Sequence, residues 1–195
     1  MLGKKVLISY GTRFGATEEV ANEIAKVLEN RGINSRLVNL RKIKPRDWPS
    51  PDEFDGIIIA SGIRINKWTK EPKKYLVKYK EVLKEPEKLL GMFVCSAYAV
   101  TEHEEAVRIY LEDTLVELGI PNDDKVLYEA FGGVFDFSKD SILGFVDKNM
   151  LKMAAMGIEK GSNGEVKIDK DGRTDFRDWG QIREFASKFA ALINS

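Results

Sequence analysis

Short apolar runs alternate with segments of helical periodicity along almost the whole chain, and this alternation constrains the fold most strongly. The runs at 6–8, 56–60 and 91–95 are almost entirely apolar, as expected for strands covered by helices on both faces. Strands that alternate with helices predict a parallel sheet, and right-handed crossovers narrow it to a doubly wound α/β fold. We therefore predict a three-layer sandwich around a five-stranded parallel sheet in the order 2-1-3-4-5.

The predicted elements follow from apolar spacing and turn residues. Strands are predicted at 6–8, 34–40, 56–60, 91–95 and 126–134. Helices are predicted at 17–31, 71–83, 101–118, 138–156 and 174–193, with Thr17, Thr69 and Thr101 as candidate caps. We also expect a loop at 61–70, a small hairpin near 166–168, and an extra helical segment after the fifth strand.

Composition bounds the class of protein. A chain of 195 residues predicts one domain over 1–195. No run approaches the ~20 apolar residues of a membrane-spanning helix, and the N-terminus leads directly into a strand, so we expect no signal peptide. The single Cys95 excludes an internal disulfide framework and any CxxC motif. These features predict a cytoplasmic protein. A formal net charge of zero counts against an acidic electron shuttle, whose charge steers it to partners.

The turn between the first predicted strand and helix consists of small and hydroxyl residues. It places backbone N–H groups at a helix N-terminus, where the partial positive charge suits a phosphate. It lacks both GxxxxGK[ST] and GxGxxG, so a nucleoside triphosphate or a dinucleotide is less favoured. The structural alternative is a plain strand–helix turn with its cap at Thr17. The predicted phosphate-binding residues are Thr12, Arg13, Phe14, Gly15, Ala16 and Thr17.

This turn resembles the Y-G-T-x-T-G-x-T phosphate loop of flavodoxins, which holds FMN. Tyr10, Gly11, Thr12, Gly15 and Thr17 match it, whereas Phe14 stands where flavodoxins usually have a second Thr. The resemblance implies a flavodoxin-like fold with FMN as the cofactor. Because Phe14 removes one hydroxyl, backbone N–H groups would carry more of the phosphate binding. A flavodoxin-like scaffold that binds no flavin is the alternative that this substitution leaves open.

Two further loops are selected because ligands of doubly wound sheets bind beyond the carboxyl ends of the strands. A flat isoalloxazine needs apolar or aromatic faces and hydrogen bonds around its rim. Ile63 or Trp68 would cover one face. The polar residues Arg64, Asn66 and Lys67 would reach the rim or the substrate. Tyr98 would either stack on the ring or pack locally. The predicted residues of these loops are Ser61, Gly62, Ile63, Arg64, Ile65, Asn66, Lys67, Trp68, Ser96, Ala97, Tyr98 and Ala99.

Several single residues keep two interpretations. The one histidine, His103, is either a proton donor near the ring or a solvated residue in a first helical turn. Cys95 lies in an apolar strand, which favours inert burial over chemistry. Phe131 is predicted to be core, whereas Phe135 and Phe137 are either core or part of the mouth of the site. No catalytic residue and no metal site is predicted.

Within flavodoxin-like proteins, the chain looks most like the flavodoxin-domain family that includes the menaquinone-dependent protoporphyrinogen IX dehydrogenases. Residues 11–17 are similar to that family's S-T-R-x-G-x-T loop in all but the first residue. Residues 60–64 are similar to its Gly-Ala-Ser-Ile-Arg-like turn, 148–156 to its basic, Met-rich helix, and 178–179 to its aspartate–tryptophan helix start. The resemblance implies that FMN takes hydrogen from protoporphyrinogen and passes electrons to a quinone. Residues 134–137 depart from the pattern, with an acid and no Arg or Tyr.

We therefore predict an FMN-dependent oxidoreductase that acts on a small hydrophobic or planar substrate or a quinone. The alternative is a flavodoxin-type electron carrier that docks a redox protein partner. The Met-rich helix 141–156 either covers the sheet or meets a membrane, a quinone or a flat substrate. Peripheral contact with the inner face of a membrane through 141–156 and a homodimer both stay open, and we expect no nucleic-acid partner.

Overall fold

The computed structural model describes residues 3–138, 141 and 144–195. Its strands are β1 (Lys5–Gly11), β2 (Asn34–Asn39), β3 (Gly56–Arg64), β4 (Lys67–Trp68), β5 (Leu89–Ser96), β6 (Val126–Gly132), β7 (Val134–Asp136) and β8 (Arg173–Asp175). Its α-helices are α1 (Ala16–Glu29), α2 (Lys70–Leu83), α3 (His103–Val107), α4 (Asp113–Leu118), α5 (Phe145–Gly161) and α6 (Trp179–Asn194), and a π-helical turn, Arg108–Glu112, joins α3 to α4.

The central sheet has the strand order β2-β1-β3-β5-β6, and all neighbours along this path are parallel. When these five strands are numbered 1 to 5 in chain order, the order is 2-1-3-4-5. The predicted strand order is therefore confirmed. The apolar runs predicted as doubly covered strands form its centre, where Ile8 pairs with Ile58 and Ile58 with Gly91. β4 pairs antiparallel with the end of β3, and β7 pairs antiparallel with β8 in a separate two-stranded sheet.

Helices cover both faces of the sheet, which gives the predicted three layers. Alternate residues of β3 point to opposite sides, so Ile58 packs with α1 and α6, whereas Ile57 and Ile59 pack with α2 to α4. The layer of α6 approaches closely, because a Cβ on Gly91 would lie 2.9 Å from the Phe189 ring. Burial on both faces explains why these strands are almost purely apolar.

The helix starts correct two predicted caps, at Thr17 and Thr101, and confirm the position of the third, at Thr69. α1 follows Gly15 in a left-handed conformation with φ of 91°, so Thr17 is not its cap and is instead buried inside the first turn. Thr69 occupies the cap position of α2, but its side chain makes no cap hydrogen bond. Glu102, not Thr101, precedes α3. Asp178, at the aspartate–tryptophan helix start that the resemblance implies, caps α6: its carboxylate accepts the N–H groups of Gly180 and Gln181.

The segment predicted as the loop 61–70 is in fact a hairpin. β3 continues to Arg64, and the chain reverses through Ile65 and Asn66, with φ of 49° and 54°, into β4. Two consecutive positive φ values match a two-residue type I′ connection, which usually contains Gly. Because the turn residues here are Ile and Asn, the sequence lacked that signal, and Ile65 is a β-branched residue in a costly backbone region.

The chain after β5 departs most from prediction. The fifth predicted strand, 126–134, is interrupted: β6 ends at Gly132, where a Cβ would lie 2.1 Å from the Phe176 carbonyl oxygen. The small ladder is β7 with β8, and no strand forms at 166–168. The last helix begins at Trp179, because 174–175 belong to β8.

α5 runs from Phe145 to Gly161, so it begins and ends later than the predicted helix 138–156. Ser138 and Ser141 are not helical, and residues 139, 140, 142 and 143 of that prediction lie outside the described residues. The inner face of α5 belongs to a third apolar cluster. That cluster contains Phe135, Phe137, Ala155, Ile158 and Ile168. Among the helices that the structure describes, none has the length and apolar character needed to cross a membrane.

Candidate functional site

A cavity of about 950 Å³ opens at the carboxyl edge of the sheet. It is bounded by the turn after β1, the β3–β4 hairpin, the turn after β5, and α5. This is the switch point expected for the ligand of a doubly wound sheet. The sequence-predicted residues that line it are Thr12, Arg13, Phe14, Ala16, Thr17, Gly62, Ile63, Arg64, Ile65, Asn66, Lys67, Trp68, Ser96, Ala97 and Tyr98.

Three predicted residues lie behind the lining. Ser61 is fully buried, and its Oγ lies 2.7 Å from Thr69 Oγ1, which joins the end of β3 to the start of α2. Ala99 packs in the core on the α2 side. Gly15 shapes the first turn, since its N–H donates to Thr12 Oγ1 at 3.0 Å. A direct role for these three in cofactor binding stays a prediction.

The turn after β1 is built to accept an anion. The first backbone N–H groups of α1 have no acceptor within the helix, and they carry the positive end of its dipole. A Cβ on Gly15 would have no neighbour within 4 Å, so the turn is open at that point. Arg13 and Arg41 both line the cavity, and Arg41 Nη1 donates to the Thr12 carbonyl oxygen at 2.6 Å. Backbone donors and nearby guanidinium groups therefore fit a phosphate.

The hairpin side of the cavity is held rigidly. Trp68 Nε1 donates to the Tyr110 carbonyl oxygen at 2.8 Å, and the Tyr110 hydroxyl donates to Asn66 Oδ1 at 3.1 Å. These bonds fix the indole and the hairpin turn against the π-helical turn. Tyr98 faces the opening with 36% of its surface exposed. Trp68 and Tyr98 both line the cavity, so it offers the flat side chains that an aromatic ring system requires.

α5 forms the remaining side of the cavity, and we call its lining residues Met150, Leu151 and Ala154 the α5 wall. Arg64 Nη2 donates to Asp147 Oδ1 at 2.8 Å and lies 3.3 Å from Met150 Sδ. The ion pair therefore joins the hairpin to α5 across the cavity. The outer residues Met153 and Met156 are 73% and 64% exposed.

The charge of the lining is mixed, with a cationic excess. Six cations and four carboxylates contribute to it: Arg13, Arg41, Arg64, Lys67, Lys70 and Arg173, and Glu19, Glu71, Asp136 and Asp147. Burial raises the pKa of Cys95 to about 12, so the thiol stays protonated at neutral pH and is not a thiolate nucleophile. Burial likewise raises the pKa of Tyr110 and keeps that phenol neutral.

The structure shows where the residues with two interpretations lie. His103 Nε2 lies 2.7 Å from Glu129 Oε1 and is not part of the cavity lining, so it is no proton donor at this site. Phe131 belongs to the core, as predicted. Phe135 and Phe137 belong to the third apolar cluster rather than to the mouth of the cavity.

Sequence reasoning missed several lining residues. Arg41 lies two residues after the end of β2, so the rule that ligands bind at the carboxyl ends of the strands could have found it. Tyr110 and Arg173 gave no local signal, because tertiary packing alone brings them to the cavity. The lining residues outside the predicted loops also include Glu19, Thr69, Lys70, Glu71, Cys95, Gly133, Val134, Asp136, Ser141 and Asp147.

Comparison with known proteins agrees with this fold. The flavodoxin domain family matches residues 7–164, and the chain belongs to it. Flavodoxin domains bind FMN, which is therefore the cofactor of this chain, and the donors of the turn after β1 and the aromatic side chains of the cavity fit its phosphate and its ring.

Individual relatives narrow the comparison. The chain is 23% identical to protoporphyrinogen IX dehydrogenase [quinone] of Escherichia coli K12 over 97% of both chains. A flavodoxin of Streptococcus pneumoniae TIGR4 shares the fold with a TM-score of 0.50 and 15% identity, over 96% of this chain and 99% of that one. Rubredoxin oxygen:oxidoreductase of Desulfovibrio gigas gives a TM-score of 0.54 with 14% identity, over 97% of this chain and 36% of that longer one.

Proposed function

We propose that this chain is an FMN-dependent oxidoreductase with a hydrophobic, planar substrate of its own. The observation that carries the proposal is the α5 wall, which adds an apolar side to the cavity beyond the three loops of the sheet edge. A carrier exchanges electrons through an exposed cofactor edge and needs no such wall. An apolar surface with a few polar groups at its rim is typical of a small-molecule site.

The residues that would hold FMN follow from the geometry. The first turn of α1, with Arg13, would bind the phosphate, and Trp68 and Tyr98 would flank the ring. Once bound, FMN supplies two-electron chemistry, accepting hydrogen from a reduced substrate and passing electrons to an acceptor such as a quinone.

The chain's own residues orient the substrate and exclude water. Asp147 holds the Arg64 guanidinium beside the α5 wall, so one polar group lies at the edge of an apolar surface. Lys67, exposed on the hairpin, adds a second cation at the rim. This arrangement suits an apolar ring system that carries negative groups at its periphery. The similarity to protoporphyrinogen IX dehydrogenase supports a cyclic tetrapyrrole as that ring system and a quinone as the acceptor.

The exposed methionines of α5 support one further part of the proposal. Met153 and Met156 lie outside the cavity on the helix that also lines it. Apolar side chains at this position would let the protein rest on a lipid surface that holds a quinone. A homodimer stays a prediction.

The experiment is anaerobic turnover of protoporphyrinogen IX with a water-soluble menaquinone analogue, using FMN-loaded and FMN-stripped protein. We expect turnover only with FMN. Met150→Gln should lower kcat/KM about fivefold or more, because it puts an amide into the apolar wall. The matched control is Val116→Gln, at an α4 residue 80% exposed and outside the cavity.

Each outcome separates the candidate functions. FMN-dependent turnover that Met150→Gln reduces, but Val116→Gln does not, supports the proposal. A protein that binds FMN and is reduced by dithionite, yet turns over no substrate, is an electron carrier instead. Equal effects of the two variants would remove the α5 wall from the substrate site.

A further inference from the structure

A second concavity, of about 740 Å³, runs beside the cofactor cavity between α2, the hairpin and the π-helical turn. Five lysines and one acid contribute to its lining, so it has a strong excess of positive charge. The two cavities are adjacent, since Asn66, Lys67, Trp68, Lys70 and Tyr110 line both. We call it the lysine groove; its charged lining residues are Lys67, Lys70, Lys73, Lys74, Lys78 and Glu117.

Little within the described chain neutralises these lysines. Lys73 pairs with Glu117 at 2.6 Å, which uses the only carboxylate of the groove. Lys78 Nζ donates to the Pro45 carbonyl oxygen at 3.1 Å and lies over the Tyr79 ring, with no carboxylate. Lys67, Lys70 and Lys74 form no ion pair with any described residue. Because the chain as a whole has zero net charge, this excess is a local feature that steers anions to one place.

The spacing of the charges indicates the kind of anion. Lys70, Lys74 and Lys78 succeed one another at four-residue intervals on α2. At 1.5 Å per residue, this row of ammonium groups extends over about 12 Å. A single phosphate or carboxylate would meet one or two of them. An acidic protein surface, with several carboxylates in a row, would meet all three.

The middle of the groove is apolar. Val77 is 50% exposed between the lysines, and Trp68 and Ile109 complete the floor. An apolar centre inside a charged rim is the usual composition of a protein–protein interface. The concave shape favours a protruding protein segment over a flat lipid surface.

We propose that the lysine groove is the docking surface for an acidic electron-transfer protein. The redox character of the partner rests on the proposed function, because the groove opens directly beside the cavity assigned to FMN. Docking there would place the partner at the hairpin, next to Trp68 and Lys67. The signs of charge are reversed relative to an acidic shuttle that docks on a basic partner: here this chain supplies the basic surface and the partner supplies the acidic one.

The test measures binding, by isothermal titration calorimetry at low ionic strength, of an oxidised plant-type [2Fe–2S] ferredoxin and an acidic flavodoxin as two unrelated acidic probes. Cytochrome c, a basic carrier, is the probe of opposite sign. We expect at least one acidic probe to bind, with an affinity that falls as salt rises. Cytochrome c should not bind.

Charge variants test whether the acidic probe binds at the lysine groove. Lys74→Glu/Lys78→Glu should raise the Kd of the acidic probe at least tenfold, and Lys74→Gln/Lys78→Gln should raise it less. The matched control is Lys26→Glu/Lys167→Glu, which changes the net charge equally at exposed residues outside the groove; we expect less than a threefold change. Unchanged melting temperature and FMN affinity would show that the groove variant is folded.

Co-sedimentation with phosphatidylglycerol vesicles is measured in parallel. Three results would overturn the proposal: no binding of either acidic probe, binding that the groove and control variants weaken equally, or a groove variant that loses vesicle binding but still binds the acidic probe. The last would assign the groove to an anionic lipid surface. Binding of the acidic probes is measured with both FMN-loaded and FMN-stripped protein. The binding result therefore does not depend on turnover. Failure of quinone-dependent turnover would therefore count against the proposed function alone.

Discussion

At the scale of single residues, Arg177 joins the turn after β1 to the C-terminal elements, although it lies far from that turn in the sequence. Its side chain is 1% exposed. It donates to both carboxylate oxygens of Asp175 at 2.8 and 2.6 Å, to Glu19 Oε2 at 2.7 Å and to the Ala16 carbonyl oxygen at 3.1 Å. Its guanidinium also lies 4.6 Å from the centre of the Trp179 ring. One buried cation thus ties β8 and the start of α6 to the first turn of α1.

Arg177→Met should destabilise the protein by about 2 kcal/mol, because it leaves the Asp175 and Glu19 carboxylates without their shared cation. The expected loss of stability is small for a buried cation because both carboxylates are partly exposed to solvent. Urea denaturation at pH 7 measures the effect. Arg183→Met is the control, since the pair of Arg183 with Glu23 is at the surface and its loss should cost less than about 1 kcal/mol. Equal losses in the two variants would contradict this account.

The same pair predicts a pH dependence. Burial alone would raise the pKa of Asp175, but the Arg177 hydrogen bonds outweigh it and lower that pKa below its ordinary value. A lowered carboxyl pKa contributes stability that is present above the unfolded pKa of about 3.9 and is lost as pH falls through the folded pKa. The stability difference between wild type and Arg177→Met should therefore narrow below about pH 4. A difference that stays constant between pH 7 and pH 3 would contradict the pairing.

At the scale of elements, the sequence predicted what burial dictates and missed what tertiary contacts dictate. Strands covered on both faces need apolar runs, and the runs around Ile58 and Val94 became β3 and β5. The hairpin at Ile65 and Asn66 was missed because neither residue is the glycine that such turns favour. The start of the last helix was misplaced because 174–175 have a partner strand, which no local pattern reveals.

The candidate site also has one part that the sequence predicted and one part that it did not. The three loops were predictable, because strand order alone places their residues at one edge of the sheet. The pairing of Arg64 with Asp147 was not, because it joins residues 83 positions apart. Arg64 was expected at the ring or substrate, and the structure gives it a carboxylate partner on α5 as well.

Asp147→Asn should loosen α5, because it removes the charge that joins this helix to the hairpin. Both side chains are partly exposed, so we expect a cost of about 0.5–1 kcal/mol. Amide hydrogen exchange in α5 should then accelerate about two- to fivefold, as measured by mass spectrometry. Asp113→Asn, at an exposed residue of α4, is the control and should leave α5 unchanged. Unchanged exchange in Asp147→Asn would show that the ion pair does not hold the helix.

Two glycine substitutions test the packing of the C-terminal elements. Gly132→Ala would bring a Cβ within 2.1 Å of the Phe176 carbonyl oxygen and should cost about 2–3 kcal/mol. Gly157→Ala, in the interior of α5 with no atom within 4 Å of the new Cβ, should instead stabilise by about 0.5–1 kcal/mol. Denaturant midpoints measure both. Similar shifts in the two variants would contradict the close approach at Gly132.

At the scale of the whole molecule, one sheet edge gathers every function assigned here. The turn after β1, the hairpin, the turn after β5 and the α5 wall surround one cavity, and the lysine groove lies beside it at the hairpin. The rest of the fold holds this edge in place through two apolar layers on the faces of the sheet. Membership of the flavodoxin domain family explains the layers, and the α5 wall is the feature on which the proposed substrate site rests.

The most direct measurement is titration of FMN-stripped protein with FMN, followed by quenching of flavin fluorescence. We predict one FMN per chain, with a Kd about five- to tenfold higher for Thr17→Ala, because Thr17 lines the phosphate end of the cavity and loses about one hydrogen bond. Thr101→Ala, outside the cavity, should match the wild type. No saturable uptake, or an equal Kd in all three proteins, would contradict the assignment of this cavity to FMN.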